Sequence, residues 1–367
     1  MKQNWYSLTD TDSLDSPALL VYPQRVKQNI QTALQMVGGD AQRLQPHVKT
    51  CKSAEAIGLM MDAGIYKFKS ATIAEAELLA TCGAKEVLLA YQATGPKLQR
   101  LLQLATMYPQ TAFAFLTDNL QTAEEQSRIC ASHQTTGTVY IDLNVGMNRT
   151  GIAPGADALS LYRYGQENPH LQIKGFHLYD GHIRNTDFLQ KKQLVDAAFA
   201  PVQDMLDELA TQPEIICGGS PSFSVHAKRT GVVCSPGTFI YWDHGYASIC
   251  PEQHFLPAIV IMSRVLSKPA PGLITLDAGH KAMAAENEIG RRIHFLNASG
   301  LVPNAQSEEH LVLKQEDDTV YTVGDVIYGL PYHVCPTVNL YERLQVVEDG
   351  QVIGCWKTLA RDRKLGV

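Results

Sequence analysis

The sequence predicts an α/β protein, a (β/α)8 TIM barrel followed by a mainly antiparallel β-domain, and three observations predict it. Up to about Gly245, short apolar runs alternate with amphipathic runs of helical period, the pattern of a parallel sheet covered by helices. From Leu256 onward the helical period fades and alternating strands take over. Polar residues able to do chemistry fall at the C-terminal ends of successive strands, where barrel loops build active sites. These patterns place the barrel at residues 17–245 and the β-domain at 246–367 together with 1–16.

Ala18 to Tyr22 reads as a strand, and Val26 to Met36 as a helix ending at Gly38 and Gly39. Leu44 to Lys52 (LQPHVKTCK) reads as a strand whose end presents Lys49. Ser53 caps the helix SAEAIGLMMDAG, which stops at Gly64. Lys67 to Ser70 is a short strand, and Thr72 with Glu75 three places on makes a capping box for the next helix. Val87 to Tyr91 is another strand, and Pro96 opens the helix that follows. Further strands fit Ala112 to Leu116, Val139 to Leu143, Ile173 to Leu178, Ile215 to Cys217 and Thr238 to Tyr241. Counted from the Lys49 strand these make eight units, the number that closes a barrel, and the Ala18 strand is left over for the second domain. Beyond Leu256, AIVIMSRVLS, GLITLDAG, HLVLK, TVYTVGDVIYG and LQVVEDGQVIGCW read as strands, the last with EDG at a hairpin position.

Composition narrows the function. The chain has 367 residues, 45% of them hydrophobic, which is material for two cores. A net charge of -6 with scattered Lys and Arg argues against nucleic acid or anionic membrane as partners. No apolar run has signal-peptide or bilayer length, so a soluble, cytoplasmic protein is expected. The eight cysteines lie mostly in apolar segments without a CxxC pair, and they are expected to be reduced and mostly buried.

Lys49 is the first candidate for chemistry. An amine acts covalently only where a partly desolvated pocket favours its neutral form, and a strand mouth supplies such a place. The plain alternative is a solvated lysine. Gln92 ends the third strand, Arg149 follows the fifth in DLNVGMNRTG, Tyr179 ends the sixth in GFHLYDGH, and Gly218, Gly219 and Ser220 follow the seventh. Each alone has an ordinary reading: a surface arginine, a packing wedge, a short glycine turn. Agreement across five strand ends is what favours a site. Near the C-terminus, His333 and Cys335 stand two apart on a segment read as extended, so imidazole and thiolate face one side and can meet one ion. HxC without context is weak evidence for a metal.

PHVKT, followed by GMNRTG, HLYDGH, GGSP and PGT, resembles the fold-type III pyridoxal phosphate enzymes, an alanine racemase-like barrel with a C-terminal β-domain. Within them the chain is most similar to the D-serine dehydratase and D-threonine aldolase branch, over nearly its whole length, including SEEH at Ser307 to His310 and YHVCPTVNL. The resemblance implies that Lys49 is the Schiff-base residue and that Arg149 contacts the cofactor ring oxygen. It also implies that Tyr179, Gly218, Gly219 and Ser220 hold the ring and phosphate. His47 and Gln92 are the candidate substrate contacts. It implies a divalent ion on His333 and Cys335 beside the cofactor, with zinc favoured by the thiolate and manganese the alternative. A homodimer and a small D-3-hydroxy amino acid substrate complete the expectation. If Lys49 removes the α-proton while the ion draws off hydroxide, the products are a 2-oxo acid and ammonia; if a base deprotonates the hydroxyl, the Cα–Cβ bond breaks and glycine and an aldehyde leave.

Departures from the family pattern bear on which reaction is expected. Relatives often read RPHVKTHK, where this chain has Gln45 and Cys51. Alanine racemases carry an arginine before the Pro-Gly of the last barrel strand, facing the pyridine nitrogen, where this chain has Ser235 before Pro236 and Gly237. That loss argues against a racemase, although Tyr246, Tyr328 or Tyr332 are available as a second base. Cys335 resembles the dehydratases more than the aldolases, which tend to have Asp there. A non-catalytic pyridoxal phosphate carrier is the remaining alternative, but carriers lack a C-terminal β-domain.

Overall fold

The computed structural model describes residues 4–367 and divides into two compact units, Gln31–Gly237 with Asp362–Val367, and the chain up to Ile30 with Thr238–Arg361. β1 (Ala18–Val21) and α1 (Pro23–Met36) open the chain, and the division falls inside α1. The leftover strand therefore belongs to the second unit.

The barrel unit continues with α2 (Ala54–Asp62), β2 (Lys67–Ser70), α3 (Ile73–Thr81), β3 (Glu86–Gln92), α4 (Gly95–Met107), β4 (Ala112–Thr117) and α5 (Leu120–Ser132). It goes on through β5 (Gly137–Leu143), α6 (Ala156–Glu167), β6 (Leu171–Leu178), α7 (Phe188–Asp207), β7 (Glu214–Cys217), α8 (Phe223–His226) and β8 (Val232–Cys234). β2 to β8 run parallel in sequence order. The eighth place in the ring is taken by the extended stretch at Leu44 to His47. Leu44 bridges Cys234 and His47 bridges Lys69; Gln45 N–H donates to the Cys234 carbonyl at 2.9 Å and Lys69 N–H to that of Pro46 at 2.8 Å.

Two expectations are corrected here. The strand predicted to run through Lys49 stops at His47, because Pro46 has no N–H for a ladder and the His47 Nδ1 accepts the Lys49 N–H at 3.3 Å. Val48–Thr50 is instead a 3₁₀ turn that carries Lys49. The last barrel strand is Val232–Cys234, and the segment read as a strand from Thr238 begins with a 3₁₀ turn, Thr238–Ile240. Pro236 between them has no N–H to donate, while its carbonyl still accepts the His47 N–H at 3.0 Å.

Helix starts follow the local signals. Ser53 Oγ accepts the Ala56 N–H at 3.3 Å, and Thr72 Oγ1 accepts that of Glu75 at 3.1 Å. Glu75 returns its Oε2 to the Ala71 N–H, one residue before the expected cap, and takes Lys52 Nζ on Oε1 at 2.6 Å. Inside the barrel, alternate residues of successive strands (Leu88, Ala114, Leu116, Tyr140 and Ile216) form a buried cluster. At the strand starts, Lys67, Glu86, Lys174 and Glu214 close a ring of ion pairs of 2.6 to 4.0 Å. The end of the barrel opposite Lys49 is therefore sealed by charge, a stability feature of the kind barrels carry on that face.

The second unit adds α9 (His244–Ile249), β9 (Ile259–Ser267), β10 (Leu273–Leu276), β11 (Ile293–Phe295), β12 (Leu301–Gln306), β13 (Leu311–Gln315), β14 (Val326–Pro331), α10 (Val334–Leu340), β15 (Arg343–Glu348) and β16 (Gln351–Lys357). The sheet order is β12-β13-β10-β9-β1-β15-β16, with β14 also on β9 and β11 on β14. Only the β1–β15 pair is parallel. Asp349 and Gly350, at φ 48° and 75°, make the tight turn that EDG predicts between β15 and β16. The strand expected from Thr319 starts only at Val326, since the Asp325 carboxylate takes the Thr322 N–H at 2.7 Å and its hydroxyl at 2.8 Å. Among the described residues no helix is long and apolar enough to cross a membrane.

Candidate active site

The loop after β5 is built to deliver Arg149. The chain leaves at Leu143 and returns at Ile152, which bridges it. Between them the Asn144 carboxamide oxygen accepts the N–H of Gly146 at 3.1 Å and of Asn148 at 3.0 Å. Gly151, at φ 100°, has no room for a side chain, because a Cβ would lie 2.6 Å from the Asn144 nitrogen. Arg149 then places its guanidinium over the Tyr179 ring, 4.8 Å from the centroid.

Tyr179 follows β6 and lies against two glycines. A Cβ at Gly181 would fall 2.0 Å from its hydroxyl, and one at Gly219 would fall 2.6 Å from its ring. Gly218, at φ 75°, turns the chain so that Gly219 N–H reaches Ser222 Oγ at 3.4 Å. Ser220 Oγ accepts the Gly237 N–H at 3.3 Å, and so ties this loop to the end of β8. Beneath it Asp180 accepts from Ser222 Oγ at 2.5 Å and meets His226 Nε2 at 2.8 Å, all three fully buried. The structure thus brings Arg149, Tyr179 and the glycine pair together. Gly219→Ala is expected to push the Tyr179 ring aside; at about 1–3 kcal/mol for such overpacking, cofactor affinity measured by titration should fall roughly 5- to 150-fold.

Lys49 is half-buried and stands among basic groups. Burial, followed by the charges of Lys49 and Lys69, holds the His47 imidazole far below its usual range, so His47 is neutral. Lys69 is the residue that sequence reasoning missed. Its Nζ lies 3.1 Å from His177 Nε2 and 2.5 Å from Ser235 Oγ, and His177 Nδ1 is 2.7 Å from Asp142. Burial pushes Lys69 down to about 7, Lys49 adding to the effect and Asp142 opposing it. His177 is lowered by burial and by Lys69 against the pull of Asp142, whose carboxylate His177 holds low in spite of its burial. The one sequence signal was the period: Lys67 and Lys69 point to the same face of β2. Gln92 is engaged otherwise, since its carbonyl accepts the Asp118 N–H and the Asn119 side-chain N–H, both at 3.2 Å.

His333 and Cys335 do not lie on an extended segment. His333 is the N-cap of α10 and Cys335 sits in its first turn, where Pro336 is tolerated because first-turn N–H groups have no helical partner. His333 Nδ1 is 2.5 Å from the Glu286 carboxylate, and Cys335 Sγ is 3.5 Å from Thr238 Oγ1. Burial lowers His333, but Cys335, Asp243 and Glu286 outweigh it and bring the imidazole up to about 9. Among the described residues no group of three or more His, Cys, Asp or Glu side chains is arranged to hold an ion. The pair still fits a two-ligand site: a carboxylate on Nδ1 leaves Nε2 for a metal, as ligating histidines require.

Residues 21–244 match the model of the alanine racemase N-terminal domain, well over half of the chain. The chain belongs to that family. Its alanine racemase-like barrel makes it a fold-type III pyridoxal phosphate enzyme, as the motifs implied. Residues 258–347 match a second model, the putative serine dehydratase domain. A 3-hydroxy-D-aspartate aldolase of Paracoccus denitrificans is 25% identical over 372 residues, which cover 96% of this chain and 94% of that protein. A D-threonine aldolase of an Arthrobacter species is 25% identical over 358 residues, 95% and 93% of the two chains. The crystal structure of D-threonine aldolase from Filomicrobium marinum superposes with a TM-score of 0.84 at 25% identity, covering 95% of this chain and 96% of that one. A cofactor with an aldehyde, a ring oxygen and a phosphate fits the barrel residues: Lys49, Arg149 over Tyr179, and a glycine turn in which a Cβ at Gly218 would overlap His226 and Ser222.

Proposed function

We propose that this chain is a pyridoxal phosphate- and metal-dependent lyase of D-3-hydroxy amino acids that eliminates the 3-hydroxyl and releases ammonia. The family barrel supports the cofactor, and the observation that carries the rest is the thiol and imidazole of Cys335 and His333, with Glu286 on the far ring nitrogen. Pyridoxal phosphate, when bound, supplies a ring that withdraws electrons from the substrate α-carbon. Lys49 holds the cofactor and takes the α-proton on Nζ once freed. Arg149, ordered by its loop and by Tyr179, orients the ring, and the backbone at Gly218 to Ser220 holds the phosphate. His47, neutral beside Lys49, is the substrate contact this reading keeps; Gln92 is the less supported one, its carbonyl being engaged. His333 and Cys335 would hold the ion, and the thiolate favours zinc over harder ions such as manganese. A homodimer and a cytoplasmic location belong to the same reading and are supported by the motif resemblance and composition.

A second reading is retro-aldol cleavage, which the two aldolase relatives favour. A cysteine where aldolases tend to have aspartate, within the stretch that matches the serine dehydratase model, favours elimination. Product analysis with D-serine and D-threonine decides. Pyruvate and 2-oxobutyrate are the expected products; acetaldehyde with glycine would establish the aldolase, and L-enantiomers alone would establish a racemase. A chelator is expected to lower turnover at least tenfold while the visible absorption of the cofactor stays, and added zinc to restore it. Turnover indifferent to chelator would remove the metal from the reading.

A further inference from the structure

We propose that Lys69 is the residue that meets the ring nitrogen of pyridoxal phosphate, its amine fixed by His177 and Ser235, an inference that rests on the cofactor reading above. Lys67 and Lys69 share the inner face of β2, yet only Lys67 has carboxylates to pair with. Lys69 is 3% exposed, and its partners are a neutral imidazole and a hydroxyl. Asp142 takes the Nδ1–H of His177, so Nε2 is the ring atom that accepts from Lys69. Ser235 accepts from Lys69 and donates its own O–H to the Gly218 carbonyl at 3.2 Å, inside the glycine loop. An ammonium has three hydrogens, and among the described residues no acceptor takes the third. A buried donor left open in this way calls for a ligand atom.

The identity of that atom follows from which cofactor groups already have partners. The aldehyde goes to Lys49, the ring oxygen to Arg149 and the phosphate to the loop at Gly218 to Ser220. The ring nitrogen is left, and Lys69 is a buried cation joined to the same glycine loop through Ser235. The charged and titratable groups acting on Lys69 are Lys49 and Arg149, which oppose its charge, Asp142, which favours it, and the Cys217 thiol from β7, with the neutral His177 in contact and His47, also neutral, nearby. No bond breaks in the contact: a Lys69 N–H donates to the nitrogen lone pair and so keeps a proton off the ring. A ring without that proton withdraws less charge from the substrate α-carbon. The interaction also answers the absence of an arginine before Pro236, since Ser235 occupies that position and holds the lysine.

The test uses holoprotein carrying ¹⁵N in the pyridine ring, followed by NMR from pH 6 to 9. The expected result is an unprotonated-ring signal that moves as Lys69 titrates. In Lys69→Met the movement disappears and the cofactor dissociation constant rises roughly tenfold, the loss of one charge-assisted hydrogen bond. Ser235→Ala, which leaves the amine and removes one hold on it, should shift the midpoint and keep the response. A protonated-ring signal in the wild type, or a signal without pH response that Lys69→Met leaves unchanged, overturns the assignment. If Lys69→Met does not fold, the wild-type titration alone decides. Failure of the cofactor reading shows separately, as no visible absorption and no borohydride-fixed label on Lys49, and it takes the assignment with it.

Discussion

Lys49→Ala should lower turnover of D-3-hydroxy amino acids by roughly 10²–10⁴-fold or more, because in the proposed function the change removes the covalent hold on the cofactor and the base for the α-proton together. Binding should survive in part, since Arg149, Tyr179 and the glycine loop are positioned by contacts that do not involve Lys49. Lys69 is a poor substitute: His177 and Ser235 hold its amine, and Asp142 holds His177. The checks are the steady-state rate and the site of borohydride-fixed label in wild type and variant. A variant that keeps the wild-type rate would move the covalent role to another amine, and the first to examine would be Lys69.

The parts of the fold that were legible in the sequence are those whose causes are local. Strands β3 to β7 are apolar runs bounded by caps and turns, and the Asp349-Gly350 hairpin follows from residues that accept positive φ. The two misread strands of the barrel both flank its closing point, at Pro46 and at Pro236. There the ring is completed by single bridges between Leu44 and Cys234 and between His47 and Lys69, partners far apart in sequence. The Schiff-base candidate and its glycine loop could be proposed from the sequence because barrel chemistry gathers at strand ends. Lys69 could not, because it lies inside a strand and only the folded barrel brings Ser235 and His177 to it. Likewise the spacing of His333 and Cys335 does not distinguish an extended stretch from a first helical turn, and Glu286 reaches His333 from 47 positions away.

Asp180→Ala should destabilise the protein by about 3–5 kcal/mol, the penalty for taking one member from a buried charged network. His226 and Ser222 are 1% and 0% exposed, and without the carboxylate both lose their partner in a place that water does not reach. The pH dependence has a definite sign. Burial alone would raise the Asp180 carboxyl, yet His226 and Ser222 bring it below its ordinary 3.8. A depressed carboxyl stabilises the fold fully above its unfolded value and loses that contribution as the pH falls through the folded one. The deficit of the variant should therefore be complete at pH 7 and shrink only in acid below about pH 4. Ser222→Ala removes the hydrogen bond to Asp180 and the longer one from Gly219 N–H and should cost about 1–2 kcal/mol, so the pair of variants separates the charge from the hydroxyl. Both should also weaken cofactor binding, because Ser222 accepts the Gly219 N–H and thereby sets the loop proposed to receive the phosphate. Urea titration gives the stabilities and cofactor titration gives the affinities. An Asp180→Ala protein as stable as Ser222→Ala would mean that His226 finds another acceptor, and the loop would then be held by its glycine backbone alone.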